Sequence, residues 1–225
     1  MPRQLIFELP VRSALGRVDF FVSPANARAV ASLDAPEDWP ERKLILAGPE
    51  GSGKTHLVHV WAATHGARIL DAGDLARMEP TAAQALVVED ADRIAGDRAA
   101  ETALFHLHNL VLADGGYLLI TTRQAPRQVG FALPDLASRM EASPLVTLDP
   151  PDDALLAAVL VKLFADRQIT VPMSLIPWLV GRMDRSFAAA HRIVADIDAL
   201  ALATGRPIGR KIAAEVLDSA RHDAQ

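Results

Sequence analysis

LILAGPEGSGKT, residues Leu44 to Thr55, is the stretch that decides the fold. Its first four residues are an apolar run too short for a helix and bounded by glycine, which predicts a buried strand. From Thr55 to about His65, Leu57, Val58, Trp61 and Ala62 share one face before Gly66, which predicts a helix with a glycine stop. The link between them, Gly48 to Thr55, fits G-x-x-x-x-G-K-[ST] in the strand-to-helix context that this pattern requires. Gly48, Gly51 and Gly53 admit backbone conformations closed to residues with a Cβ, so that successive N–H groups can face phosphate oxygens at the positive end of the helix. Pro49, Glu50 and Ser52 complete the loop, Lys54 is placed for the β and γ phosphates, and Thr55 offers a hydroxyl to Mg²⁺.

Outward from this loop, further short apolar runs occur at Ile69 and Leu70, Ala85 to Val88, Tyr117 to Ile120 and Leu145 to Leu148. They alternate with stretches of helical period such as Ala100 to Ala113, in which Leu104, Leu107 and Val111 align. The expected class is α/β, with five parallel strands flanked by helices. After Leu148 the pattern changes. Pro150 and Pro151 break the chain, Asp152 and Asp153 can cap a helix from Ala154 to Asp166, and helices starting near Met173, Ser186 and Gly209 follow without another strand. The expected divisions are an N-terminal arm at 1–10, a phosphate-binding domain at 11–150 and a small all-helical domain at 151–225.

The second chemical signal is LVVEDAD, Leu86 to Asp92, an apolar strand running out into carboxylates. A phosphate-loop fold needs one acid there for the Mg²⁺ shell and an adjacent one to orient the attacking water, roles that fall to Glu89 and Asp90 respectively. Asp92 reads as a solvated or capping residue.

Composition sets outer limits. The 225 residues suffice for a substantial core without staples, and with half of them hydrophobic they exclude disorder as the main state. A net charge of −5 disfavours a broad, sequence-independent grip on a phosphate backbone, so direct sequence-specific DNA binding is not expected. No cysteine is present, which excludes a disulfide framework, a zinc ribbon and a thiol nucleophile. MPRQLIFELP lacks a signal-type apolar stretch and no run approaches the roughly 20 residues of a membrane span, so the expectation is a soluble cytoplasmic chain. His56 and His59 share a helix face without a third ligand and read as packing or surface residues. Arg123 and Arg127 receive no role from sequence.

The loop and the acid pair resemble those of AAA+ ATPases, and other segments narrow the resemblance to the DnaA branch and its short Hda-type regulators. AETALFHLHNLVLADGGYLLITTRQAP, Ala100 to Pro126, is similar to that branch's helix and fourth strand with a polar sensor at the strand end, which would be Thr121 or Thr122. DLASRMEASPLVTLDPPD, Asp135 to Asp152, is similar to its arginine-finger segment, fifth strand and lead into the lid, with Arg139 as the finger. DFFVSPAN, Asp19 to Asn26, resembles the nucleotide-side box and puts Phe20, Phe21 and Val22 near the adenine. The implied cofactors are ADP or ATP with Mg²⁺. The interval between Lys54 and Glu89 is shorter than expected for an initiator, and no basic helix-turn-helix segment follows the lid; both departures point to the Hda type. Aligning Arg185 and Ser186 with the branch's Arg-Ser-Asn puts Ala189 where a lid arginine belongs, and Arg192 lies one turn further on.

RQLIFELP resembles the clamp-binding peptide of Hda-type proteins, in which Gln4 makes polar contacts and Leu5, Ile6 and Phe7 enter an apolar pocket. The residues alone equally allow an arm whose Leu5, Phe7 and Leu9 pack on their own domain. The implied partners are the sliding clamp, which is the β subunit of the replicative polymerase, and DnaA itself, with a homodimer or a larger AAA+ oligomer as the assembly. The expected function is promotion of hydrolysis of DnaA-bound ATP, with weak intrinsic hydrolysis. A helicase-loader-like ATPase and a nucleotide-binding adaptor without activator activity are the alternatives.

Overall fold

The computed structural model describes residues 21–222. Five strands form one parallel sheet: β1 Lys43–Ala47, β2 Arg68–Asp71, β3 Ala85–Glu89, β4 Tyr117–Thr122 and β5 Leu145–Thr147, in the order β2-β3-β4-β1-β5. Alternation at period two divides each central strand between two cores. Leu44 and Leu46 of β1, Val87 of β3 and Leu119 of β4 meet helices α1 (Ala27–Asp34) and α2 (Lys54–His65) on one face. Ile45, Leu86, Val88, Leu118 and Ile120 meet α3 (Arg98–Ala113) and the short α5 (Pro134–Glu141) on the other. Burial on both faces explains why β1 reads as a continuous apolar run rather than as an alternating one.

The sheet and its flanking helices are as expected, and the differences lie in short elements. Helix α1 and the single turn α4 (Pro126–Val129) were not foreseen, nor was α5 as a helix. None exceeds eight residues, little more than two turns, and propensity over so few residues cannot compete with packing. Asp97 caps α3 by accepting hydrogen bonds from the N–H groups of Ala99 and Ala100, so this helix starts at Arg98 rather than at Ala100.

Beyond the sheet, α6 (Asp153–Asp166), α7 (Leu175–Val180), α8 (Phe187–Thr204) and α9 (Arg210–His222) enclose their own core of Leu156, Leu160, Phe164, Leu179, Ile193, Val194, Ile197 and Ile212. The Asp152 carboxylate accepts from Leu155 N–H at 2.8 Å and fixes the start of α6. Among the described residues no helix is long and apolar enough to cross a membrane.

Candidate functional site

At the C-terminal ends of the strands the sheet and the helical domain enclose a cleft of about 550 Å³. One wall is the glycine-rich loop between β1 and α2. Gly51 and Gly53 have φ of +74° and +97°, and a Cβ on Gly53 would lie 2.7 Å from the Phe187 ring. The helical domain is therefore seated directly on the loop. Phe187, the first residue of α8, also donates its N–H to the Gly51 carbonyl at 3.1 Å, while Ser186 caps α8 by accepting from Ala189 N–H. Only residues without a side chain let the two domains approach this closely.

Lys54 is buried, and its ammonium donates to the carbonyls of Gly48 at 2.7 Å and Pro49 at 3.0 Å. Burial pushes its pKa below the ordinary lysine value, with Asp90 and Asp92 pulling in the opposite direction. The Ser52 hydroxyl is buried in the same loop and has no protein partner among the described residues. A buried ammonium, an unpartnered hydroxyl and a helix N-terminus at one point suit an anion.

Asp90 lines the cleft one residue past β3. Its φ of +54° lies in the left-handed region, tolerated by aspartate better than by most residues and a frequent mark of functional positions. The Asp90 N–H donates to the Thr121 hydroxyl at 2.9 Å, which ties the ends of β3 and β4 together. Thr55, exposed at the start of α2, also lines the cleft. Glu89 does not; its carboxylate lies 3.7 Å from Nε2 of His59. In the cleft wall the protein oxygens at hand for Mg²⁺ are thus the Thr55 hydroxyl and the Asp90 carboxylate. One or two such ligands suffice for an ion that takes its remaining ligands from phosphates and water.

The other sequence-named residues divide between the cleft and elsewhere. Glu50, Gly51, Ser52, Gly53 and Phe21 line it, whereas Val22 packs into the α1/α2 core. Thr122 is fully buried, its hydroxyl without a partner among the described residues, and is not in the cleft wall. Phe20 and the peptide Gln4, Leu5, Ile6 and Phe7 lie outside the described residues. The helical domain contributes Lys162, Asp166 and His191 to the cleft, with Lys162 paired to Asp166 at 3.1 Å; Arg192 is exposed and is not in the wall.

Sequence reasoning missed Arg123, which enters the cleft one residue beyond β4. The available signal was its place at a strand end beside the expected sensor.

Arg139 sits far from this cleft. It is exposed in the last turn of α5, with its guanidinium 5.4 Å from the Phe105 ring centroid, in a basin shared with Arg42, His108 and Asn109. Arg42 directly precedes β1 and α5 precedes β5, so this basin flanks the N-terminal edge of the sheet. Five-residue strands at about 3.3 Å per residue separate the two edges by roughly 15 Å. Arg139 cannot serve its own cleft.

Comparisons with known proteins agree with this architecture. No protein-family profile matches the chain. It is similar to the chromosomal replication initiator protein DnaA of Thermomicrobium roseum, with 26% identity over 225 residues covering 88% of this chain and 48% of the relative. The chain thus spans about half the length of that curated relative. Among solved structures, domain III of the Thermotoga maritima DnaA protein superposes with a TM-score of 0.79 at 19% identity, covering 89% of this chain and 94% of the other. A replication initiator DnaA bound to AMPPCP and single-stranded DNA gives 0.69 at 16% identity over 85% of this chain and 66% of the other. At such identities these structural likenesses establish the fold.

Proposed function

We propose that the chain is a DnaA-related AAA+ protein of the Hda type, a regulator of replication initiation that binds adenine nucleotide with Mg²⁺ and promotes hydrolysis of ATP held by DnaA. The observation that carries the nucleotide site is the cleft itself. It unites a buried Lys54, an unpartnered Ser52 hydroxyl, the α2 N-terminus and the Asp90 carboxylate under a lid seated on Gly51 and Gly53. A relative solved with AMPPCP supports adenine as the base. Lys54 and the loop amides would hold the phosphates, Thr55 with Glu89 or Asp90 the Mg²⁺, and Asp90 would orient water. When bound, the ion would neutralise charge developing on the phosphoryl oxygens.

The activator role rests on Arg139. An exposed guanidinium on the sheet edge opposite its own cleft is available to a neighbouring molecule's nucleotide. Clamp association rests on the N-terminal resemblance alone.

Thermal melting tests the nucleotide site. ADP at about 100 times its dissociation constant should stabilise the wild type by roughly 2.7 kcal/mol. Lys54→Ala should lose that shift. An equal shift in both proteins, or none in the wild type at millimolar ADP, would refute the site.

Deleting residues 1–9 is expected to abolish clamp binding in a pull-down or surface-resonance assay and to leave the ADP-induced shift intact, since a short extended peptide supplies pocket contacts but little core. Full clamp affinity in the deletion variant would exclude the N-terminal segment. Loss of the fold would instead favour an arm packed on its own domain.

A further inference from the structure

The acid pair at the end of β3 is divided by the pleat. Ala85 and Val87 face the core shared with α1 and α2, so Glu89, next in that alternation, leaves the strand on the α2 side, whereas Asp90 lines the cleft. The main chain here is held. Asp90 donates its N–H to the Thr121 hydroxyl at 2.9 Å, and the Glu89 backbone belongs to β3. Only the Glu89 side chain is left to move.

That side chain is 16% exposed, and among the described residues no hydrogen bond reaches its carboxylate. Its ion-pair partner is His59, whose Nε2 lies 3.7 Å from Oε2. The separation exceeds a hydrogen bond and the imidazole is more than half exposed, so the pair is weak. A largely buried carboxylate with one loose contact has lone pairs to offer elsewhere. Helix α2 presents two places for it. Thr55 and His59 are four residues apart, on one face of the helix with Cβ atoms about 5–6 Å from each other. Thr55 lines the cleft beside the glycine-rich loop; His59 lies one turn further along and does not.

Resting on the reading of the cleft as a Mg²⁺-nucleotide site, we propose that His59 is a positioning residue that parks Glu89 outside the cleft, from where the carboxylate must swing one turn along α2 to reach an ion held at Thr55. Rotation about the Glu89 side-chain bonds suffices, and β3 keeps its register. His59 touches neither the nucleotide nor the ion. Its contact with Glu89 belongs to the metal-free state alone, and an interaction confined to the unbound state lowers affinity by its own strength. His59 therefore sets how tightly this cleft takes Mg²⁺ without being part of it.

Titrating Mg²⁺ into the ADP-loaded full chain, read by calorimetry and by the magnesium dependence of the melting temperature, tests this role. His59→Leu should tighten Mg²⁺ by roughly twofold to fivefold, the range of a half-exposed ion pair, and should change ADP affinity in EDTA by less than about twofold. His59→Gln keeps an N–H donor near the carboxylate and should restore most of the wild-type value. Glu89→Gln should weaken Mg²⁺, and in that background His59→Leu should have no further effect, a coupling that a histidine merely covering the helix surface would not show. The parking role is overturned by unchanged or weaker Mg²⁺ binding in His59→Leu, by an equal gain in the Glu89→Gln background, or by a Glu89→Gln variant that binds Mg²⁺ like the wild type. ADP binding that persists in those cases, and is lost in Lys54→Ala, would leave the nucleotide site standing. A wild type that binds no ADP, with or without Mg²⁺, would remove both.

Discussion

Arg139→Ala is expected to remove nearly all stimulation of DnaA-bound ATP hydrolysis while changing the protein's own nucleotide affinity less than twofold. Trans-acting arginines stabilise the charge on a transferring phosphoryl group by about 10³ to 10⁵ in rate, which makes this the largest effect expected of any single side chain here. The geometry explains the separation of the two properties. Arg139 leaves α5 at the N-terminal edge of the sheet and its nearest aromatic contact is Phe105, whereas the cleft lies at the C-terminal edge. Arg139→Lys should fail almost as completely, since the ammonium cannot contact two phosphate oxygens at once. The measurement is phosphate release from DnaA·ATP with clamp loaded on DNA, each variant being checked for melting temperature and clamp binding. Full stimulation by Arg139→Ala would reduce this residue to a surface arginine stacked on Phe105.

The second large effect is on stability. Glu101 in α3 is completely buried, and its carboxylate accepts hydrogen bonds from the backbone N–H groups of Gly96 at 2.7 Å, Ala132 at 2.9 Å and Leu133 at 2.6 Å. It thereby clasps the loop after β3 to the segment that opens α5. Glu101→Ala would remove the acceptor of three partly buried N–H groups, each loss costing about 1 kcal/mol or more unless water enters. A total loss of at least about 3 kcal/mol is expected, or roughly 10 °C in melting temperature for a chain of this size. Glu101→Gln should fall between, because one oxygen remains while the amide N–H groups oppose a backbone donor. Urea unfolding followed by circular dichroism measures both. A loss below about 1 kcal/mol for the alanine variant would show that solvent replaces the clasp.

Legibility in the sequence followed sequence distance. The loop at Gly48–Thr55 could be read because strand, glycines, lysine and helix are contiguous, and the five strands because burial on both faces leaves apolar runs such as Leu44–Ala47. Glu101 could not be read. It resembles any exposed helix glutamate until the fold brings the N–H groups of Ala132 and Leu133 to it from some thirty residues away. Arg123 escaped for a related reason, since its partners Glu50 and Asp92 belong to two other strand ends and only the sheet order assembles them. The threonines show the limit of reading a strand terminus. Thr121 and Thr122 are neighbours in sequence and both are buried, yet the pleat brings one hydroxyl to the Asp90 N–H and leaves the other without a partner among the described residues.

The placement of the cleft and of Arg139 on opposite edges of one sheet gives the molecule a polarity, like a plug and a socket at the two ends of a cable. A twofold axis brings like surfaces together, so a symmetric pair joined at the plug would leave both sockets empty, and one joined at the socket would leave both plugs idle. If Arg139 serves a neighbour, association must run head to tail, and every row of finite length then ends in one unmatched plug and one unmatched socket. A single copy placed at the end of a row of a related protein would need only its plug to act there, and its own socket would be left to carry a different message.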